Sequence, residues 1–325
     1  MGGALKSFLC RIAYSSFGNW LAVNTGILGL WAKWRVRSSK KRLLAEAVKV
    51  YHSGGDALGS LSDYTDALNK HWVSYNEYAF QYKFYQKSEE ERNEYVSRLK
   101  MAYFYWRYTP GAAKAVFRNK TQFLKCFHEN IHRAWIYAPS ASYDDFAKMV
   151  STFDCIIKPC DGKLGKGVSK VYKDDTSKGL KDLYAYCQKN RMLVEQCIEA
   201  CEELSALHPA SLNTIRVVTI ANKEKACVFS SVLRTGVGNS VVDNSHAGGI
   251  SAQINVKDGI VETDGANTHG ERFVAHPDSG IVFKGFHIPM WDTIVETVCK
   301  AARQTQNPIT GWDVVVNCDQ KVEFI

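Results

Sequence analysis

Apolar and aromatic residues recur at three- and four-residue spacings between residues 40 and 110, the period of an α-helix. The run KKRLLAEAVKVYHSGG predicts a helix closed by a glycine pair, and two further helical segments are predicted over LSDYTDALNKHWVSYNEYAFQYKFYQ and SEEERNEYVSRLKMAYFYWRY. Ser88 and Glu91 have the spacing of a capping box. The aromatic stripe along these segments is read as core packing rather than a ligand site. TPGAA at 109–113 breaks the pattern and sets a boundary. Beyond it the texture becomes short apolar runs: CIIKP, VSKVY and MLVEQ predict strands, with TSKGLKDLYAYCQKN a helix between the last two. NTIRVVTIANKEKACVFSSVLRTGV predicts two strands around an NKEK turn, and ISAQINVKDGIVET a hairpin on Lys257, Asp258 and Gly259. In MWDTIVETVCKAARQTQ, Trp291, Ile294, Val295, Val298 and Ala302 fall on one helical face, and WDVVVNCDQKVEFI closes as a hairpin. Antiparallel pairs with interspersed helices make the fold class α+β rather than repeating βαβ. The chain divides into an apolar and basic segment (1–42), a helical region (43–112) and an α+β domain (113–325).

The first segment adds a separate question. AYSSFGNWLAVNTGILGLWAKW (13–34) is apolar, yet Asn19 and Asn24 interrupt it and Lys33 lies inside its end. It lacks the clean core and small-residue cleavage site of a signal peptide, and Lys6 stands where a myristoylation signal needs Ser or Thr. Two readings stay open: a helix on a membrane surface, which Trp20, Trp31, Trp34 and the basic run KWRVRSSKKR favour, and a helix packed on the protein. A full membrane span is the weakest of the three.

With 325 residues and 46% hydrophobic content the chain can bury a large core, and its net charge of +8 is mild. No long basic-aromatic stripe suits nucleic acid. The ten cysteines are scattered and none forms a CxxC, so reduced thiols and a cytoplasmic setting are expected, at the inner membrane face if the N-terminal segment lies on a membrane. Cys197 and Cys201 lack a histidine pair at zinc-finger spacing.

The candidate chemistry lies in KPCDGKLGKGVSKVY (158–172). A P-loop needs Lys and then Ser or Thr after its last glycine, but Val168 and Ser169 follow Gly167. A dinucleotide fingerprint fails too: Lys170 occupies the third glycine position and a strand follows. What remains is a hairpin flap, in which Lys158 meets phosphates from the sheet and backbone N–H groups of Gly165 to Gly167 cover them. Arg216 sits in an otherwise apolar strand, a costly position unless an anion meets it. Arg234, Asp243 and His246 gather in one glycine-rich loop region, and Asp313 lies on a late strand.

Together NK (119–120), IIKPCDGKLGKGV, LVEQ, HPASLNTIRVVT, VVDNSHAGGISAQINV, HPDSG, GFHIPMWD and GWDVVV resemble the ATP-grasp superfamily, in its sugar-transfer-associated branch. The resemblance implies an ATP-grasp fold, two α+β subdomains sandwiching ATP with magnesium. It also implies a carboxylate activated as an acyl phosphate and then captured by an amine or sugar nucleophile, in polysaccharide or glycoconjugate synthesis. On that resemblance Lys120 and Lys158 are phosphate lysines, Gly162, Gly165 and Gly167 the flap, and Glu195 and Gln196 the adenine hinge. Arg216 and Arg234 would steady the transferred phosphoryl group, Asp313 would bind magnesium, and Asp243 and His246 would lie on the substrate or metal side. A small-molecule kinase and a nucleotide-binding protein without turnover are the competing functions. The family pattern also implies a Glu, then an Asn two residues on, as magnesium ligands, and the chain ends at Ile325, one residue before that Glu. The expectation is therefore a truncated or degenerate ligase that binds nucleotide and holds magnesium weakly. Strand alternation would turn Glu323 away from the metal.

Overall fold

The structure, a computed structural model, describes residues 28–53, 57–109, 111–161, 167–175, 179–238, 240, 243, 248–305 and 307–325. Most of the apolar 13–34 segment, together with Gly162, Gly165 and His246, lies outside the described residues, and so do the roles expected of them. No described helix is long and apolar enough to cross a membrane. The chain separates into two compact units, Met1–Gly111 and Ala112–Ile325.

The first unit is helical. Helix α1 runs Leu28–His52 and α2 Leu61–His71. Ser60 starts α2 by accepting the Asp63 N–H, and Trp72, at φ 62°, ends it in the left-handed conformation. The continuous helix predicted to residue 86 is therefore broken: a π turn (Glu77–Gln81) and a 3-10 turn (Phe84–Gln86) follow, separated by Lys83 at φ 55°. The Ser88–Glu91 capping box is present and opens α3 (Glu89–Glu94), after which Ser97 caps a separate α4 (Arg98–Tyr108). The breaks let the rings fold onto one another. Tyr64, Leu68, Tyr78 and Phe84 are buried, and Tyr64 meets Tyr78 edge-on at 5.3 Å between centroids.

The second unit opens with α5 (Gly111–Arg118) and α6 (Lys120–Cys126). The first sheet holds β1 (Trp135–Tyr137), β2 (Cys155–Pro159), β3 (Ser169–Val171) and β4 (Met192–Gln196), in the order β1-β4-β2-β3. Helices α7 (Tyr143–Thr152) and α8 (Leu180–Lys189) cover one of its faces. The chain then crosses α9 (Glu202–Leu207) into a seven-stranded sheet. Its strands are β5 (Thr214–Ala221), β6 (Ala226–Thr235), β7 (Ile250–Ile254), β8 (Gly265–Ala266), β9 (Arg272–Phe273), β10 (Ile309–Val316) and β11 (Val322–Phe324), and α10 spans Trp291–Thr305. The order is β11-β10-β5-β6-β7-β8-β9, and the neighbouring strands in both sheets pair antiparallel. This is the α+β architecture the sequence predicts. Gly259 turns the predicted hairpin at φ +74°, and a Cβ there would strike the Trp291 ring of α10 at 2.4 Å.

Period-two alternation then decides where charge goes. In the small sheet Cys155, Ile157, Met192 and Val194 pack with Phe146 and Val150 of α7 and Cys187 of α8. Ile156 and Lys158 are left on the opposite face, where Glu195 pairs across from Ile156. In the large sheet Ile215, Val217, Leu233, Trp312 and Val314 pack with Ile294, Val298 and Ala302 of α10. Arg216, Arg234 and Asp313 consequently share the face away from that helix.

Candidate active site

Lys120 is placed by its neighbour. The Asn119 carboxamide oxygen accepts the N–H groups of Thr121 (3.0 Å) and Gln122 (3.2 Å), capping α6. The Lys120 ammonium donates to the carbonyls of Pro159 (2.8 Å) and Cys160 (3.3 Å), at the end of the strand that carries Lys158. Burial, then the Lys158 charge, pushes the Lys120 amine below the ordinary lysine range. Gly167, just before β3, has φ +73°, and a Cβ there would come within 3.1 Å of the Pro159 ring.

The Glu195 side chain, expected at the adenine hinge, is buried among cations. Its carboxylate pairs with the Lys158 ammonium and with both Nε (2.9 Å) and Nη2 (2.6 Å) of Arg133. Burial pushes this carboxyl up, but Lys158 and Arg133 outweigh it and hold the group below the ordinary glutamate value. Gln196 likewise turns inward, its side-chain oxygen accepting the Ala134 N–H at 3.1 Å.

Arg133, which no sequence pattern singled out, joins the two sheets. Its Nη1 reaches Glu323 at 2.8 Å and the Phe324 carbonyl at 2.7 Å, on the far strand of the large sheet. Glu323 also accepts the backbone N–H groups of His132 (3.2 Å) and Arg133 (3.1 Å). Contrary to expectation, Glu323 does not turn to the sheet face opposite Asp313. It stands opposite Val315, and so on the same sheet face as Asp313. What holds it from Asp313 is Arg133, not alternation.

Asp313 closes the site from the large sheet. Its Oδ1 accepts Nη1 of Arg216 at 2.7 Å and Nη1 of Arg234 at 3.0 Å, so the two arginines expected at a phosphoryl group hold a carboxylate here. Asp243 accepts the Thr214 N–H at 3.1 Å and the Thr214 hydroxyl. Burial, then the nearby Asp313 charge, raises the Asp243 pKa despite the Thr214 hydrogen bonds and Arg234.

Two buried histidines support the turn leading to Asp243. His208 Nε2 lies 2.8 Å from the Gly238 carbonyl and His276 Nε2 2.9 Å from that of Gly236. Each precedes a proline in HPASLN and HPDSG, the one signal in the sequence that marks them.

A cavity of about 190 Å³ brings Lys120, Lys158, Glu195 and Arg133 together with Asp313 and Ile325. A whole ligand pocket usually measures about 300–1,000 Å³, so this space suits a phosphate chain rather than an entire nucleotide. A larger cavity of about 610 Å³ adjoins Ile156, Lys170 and the 196–200 segment. The cations fit polyphosphate. Magnesium is a different matter: among the described residues no group of three His, Cys, Asp or Glu is placed to hold a metal ion. With Asp313 Oδ1 already shared by two guanidinium groups, these residues do not compose a magnesium site.

Lys158 of the small sheet, with Lys120 beside it, thus shares a cavity with Asp313 of the large sheet, which carries the two arginines. The family described as sugar-transfer associated ATP-grasp matches residues 100–324, and the chain belongs to it. No curated protein matches the chain. Similar solved structures include N5-carboxyaminoimidazole synthase from Aspergillus clavatus with ADP and its ribonucleotide (10% identity, 71% of this chain and 50% of that one, TM-score 0.39). Another is the ATP-grasp ligase PsnB with minimal precursor, Mg and ADP (12%, 81% and 64%, TM-score 0.40). A third is an L-amino acid ligase from Bacillus licheniformis (12%, 66% and 41%, TM-score 0.41). The chain thus spans less than two thirds of the length of each.

Proposed function

We propose that this protein is an ATP-dependent ligase that joins a carboxylate to an amine or related nucleophile through an acyl phosphate, on a substrate of polysaccharide or glycoconjugate assembly. The observation that carries the reading is the cavity in which Lys120 and Lys158 of one subdomain meet Asp313 of the other, beside Arg216 and Arg234. Transfer of a phosphoryl group spreads negative charge that fixed cations in a water-poor cleft stabilise. Lys120 and Lys158 hold the nucleotide phosphates. The substrate carboxylate oxygen bonds to the γ-phosphorus as the bond to ADP breaks, and Arg216 and Arg234 neutralise the group in transit. The amine then attacks the acyl carbon, phosphate leaves, and the amine proton passes to a base. Asp243, whose pKa burial raises, is assigned to that substrate side, the role the family pattern also implies for His246. Glu195 acts here as the counter-ion that orients Lys158, while the 196–200 segment beside the larger cavity takes the adenine. The sugar-linked substrate class rests on the family description.

The test is ADP release across a panel of amino acids and sugar acids, with product mass. An amide product supports the reading, whereas a phosphorylated hydroxyl or nucleotide binding without ADP overturns it. Separately, Lys158→Ala should weaken ATP binding by at least ~1 kcal/mol, the low end for leaving a polar partner unsatisfied. Unchanged affinity in calorimetry would remove Lys158 from the phosphate site.

A further inference from the structure

The basic run at 33–42 has no part in the nucleotide chemistry, and the first unit shows what it builds. Lys33, Val36, Arg37, Lys40, Lys41 and Leu44 recur at helical spacing along one face of α1. They line a groove of about 640 Å³ with Thr65, Leu68, Asn69 and Trp72 of the α2 region and Tyr103 of α4. The floor is apolar, with Val36 and Leu68 buried. The rim carries four cations, and no acidic residue lines it. Among the described residues Lys33, Arg37 and Lys41 are exposed and pair with no carboxylate. Lys40 is half-buried, donating to the Asn69 carbonyl at 2.9 Å and lying 4.9 Å from the centre of the Trp72 ring. Its burial pushes the amine pKa down, so an approaching anion would offset that cost.

Four unopposed positive charges around an apolar floor call for an occupant that is both acidic and apolar. The chain's own first 27 residues supply no Asp or Glu, only Lys6 and Arg11, so they bring apolar surface without the matching charge. Leu30 and Trp34, on the same helix, are 68% and 41% exposed, and Phe104 and Tyr108 of α4 are exposed as well. Exposed apolar and aromatic side chains beside lysines and arginines suit a lipid interface better than a nucleic-acid backbone. We propose that this groove binds an anionic lipid of a membrane surface, its head group met by Lys33, Arg37, Lys40 and Lys41 and the start of its acyl chain lying on Val36, Leu44 and Leu68. The site is independent of the ligase reading, since it uses none of the nucleotide residues.

Co-sedimentation of the full chain with vesicles tests it. The protein should bind vesicles of equal phosphatidylcholine and phosphatidylglycerol and not phosphatidylcholine alone. Lys33→Glu, Arg37→Glu and Lys41→Glu together should weaken binding at least about 10-fold, given the contribution of each basic residue near an anionic surface. The same charge change at exposed Lys49, Lys223 and Lys225 should leave affinity within about 3-fold if the groove rather than bulk charge is read. Thr65→Trp, which fills the floor and keeps every cation, should also weaken binding. Equal binding to neutral vesicles, equal losses from both charge-reversal sets, or unchanged binding by the groove triple variant overturns the proposal. A duplex oligonucleotide bound in preference to anionic vesicles would also overturn it.

Discussion

Arg133→Ala should destabilise the C-terminal unit by about 3–5 kcal/mol, the cost of removing one partner from a buried ion pair. The side chain is only 4% exposed and its two carboxylate partners 2% each. Removing the guanidinium leaves Glu323 with hydrogen-bond donors but no cation among those contacts, and Glu195 with Lys158 alone. Arg133→Lys should recover part of the loss, because one ammonium cannot span both carboxylates as a planar fork does. The pH dependence has a definite sign. The folded Glu195 pKa lies below its ordinary 4.5, so the stability it contributes is fully present above about pH 4.5 and is lost as the pH falls through the folded value. In Arg133→Ala that carboxyl is less depressed, so the gap between variant and parent should narrow in acid. Urea unfolding at neutral and acid pH reads both effects. An unchanged neutral midpoint would mean that Arg133 is not what balances the buried carboxylates.

That network shows where sequence reasoning stops. The longer strands of both sheets and the buried face of α10 are legible because alternation and helical spacing are local, whereas β1, β8 and β9, of two or three residues each, are too short to carry a pattern. Trp291, Ile294, Val298 and Ala302 are buried as the spacing requires. Arg216 could be singled out because a charge inside an apolar strand is visible in one line of sequence. Arg133 precedes its strand and answers to partners 62 and 190 residues away, so nothing nearby betrays it. Glu323 was misplaced for a related reason. Alternation gives the faces of one strand, while the match of β11 to β10 is set by pairing Val315 with Glu323. The broken helices of the first unit fail similarly. Trp72 and Lys83 adopt positive φ, which their residue types do not favour, where the aromatic residues pack against one another.

The largest effect on chemistry is expected from the two arginines of the large sheet. Arg216→Met and Arg234→Met should each lower turnover about 10²- to 10³-fold, the range for deleting one fixed donor that meets developing negative charge. Nucleotide affinity should change little, because the phosphate lysines lie elsewhere, Lys158 on the small sheet and Lys120 at the start of α6. Stability is a minor part of the outcome. The side chains of Arg216, Arg234 and Asp313 are 34%, 23% and 34% exposed, and partly hydrated pairs contribute roughly 0–1 kcal/mol. The guanidinium of Arg216 lies over Gly311, where a Cβ would approach Nε at 3.0 Å and Cζ at 3.2 Å. Gly311→Ala therefore offers a gentler displacement of the same group, and its turnover should fall between those of the parent and Arg216→Met. The decisive measurement is ADP release at saturating ATP with the accepted acid, beside calorimetric ATP binding. Turnover within about 3-fold of the parent in both arginine variants, far short of an electrostatic contribution of this kind, would leave these residues as mere partners of Asp313. Loss of turnover with intact ATP binding would place them at the phosphoryl group in transit.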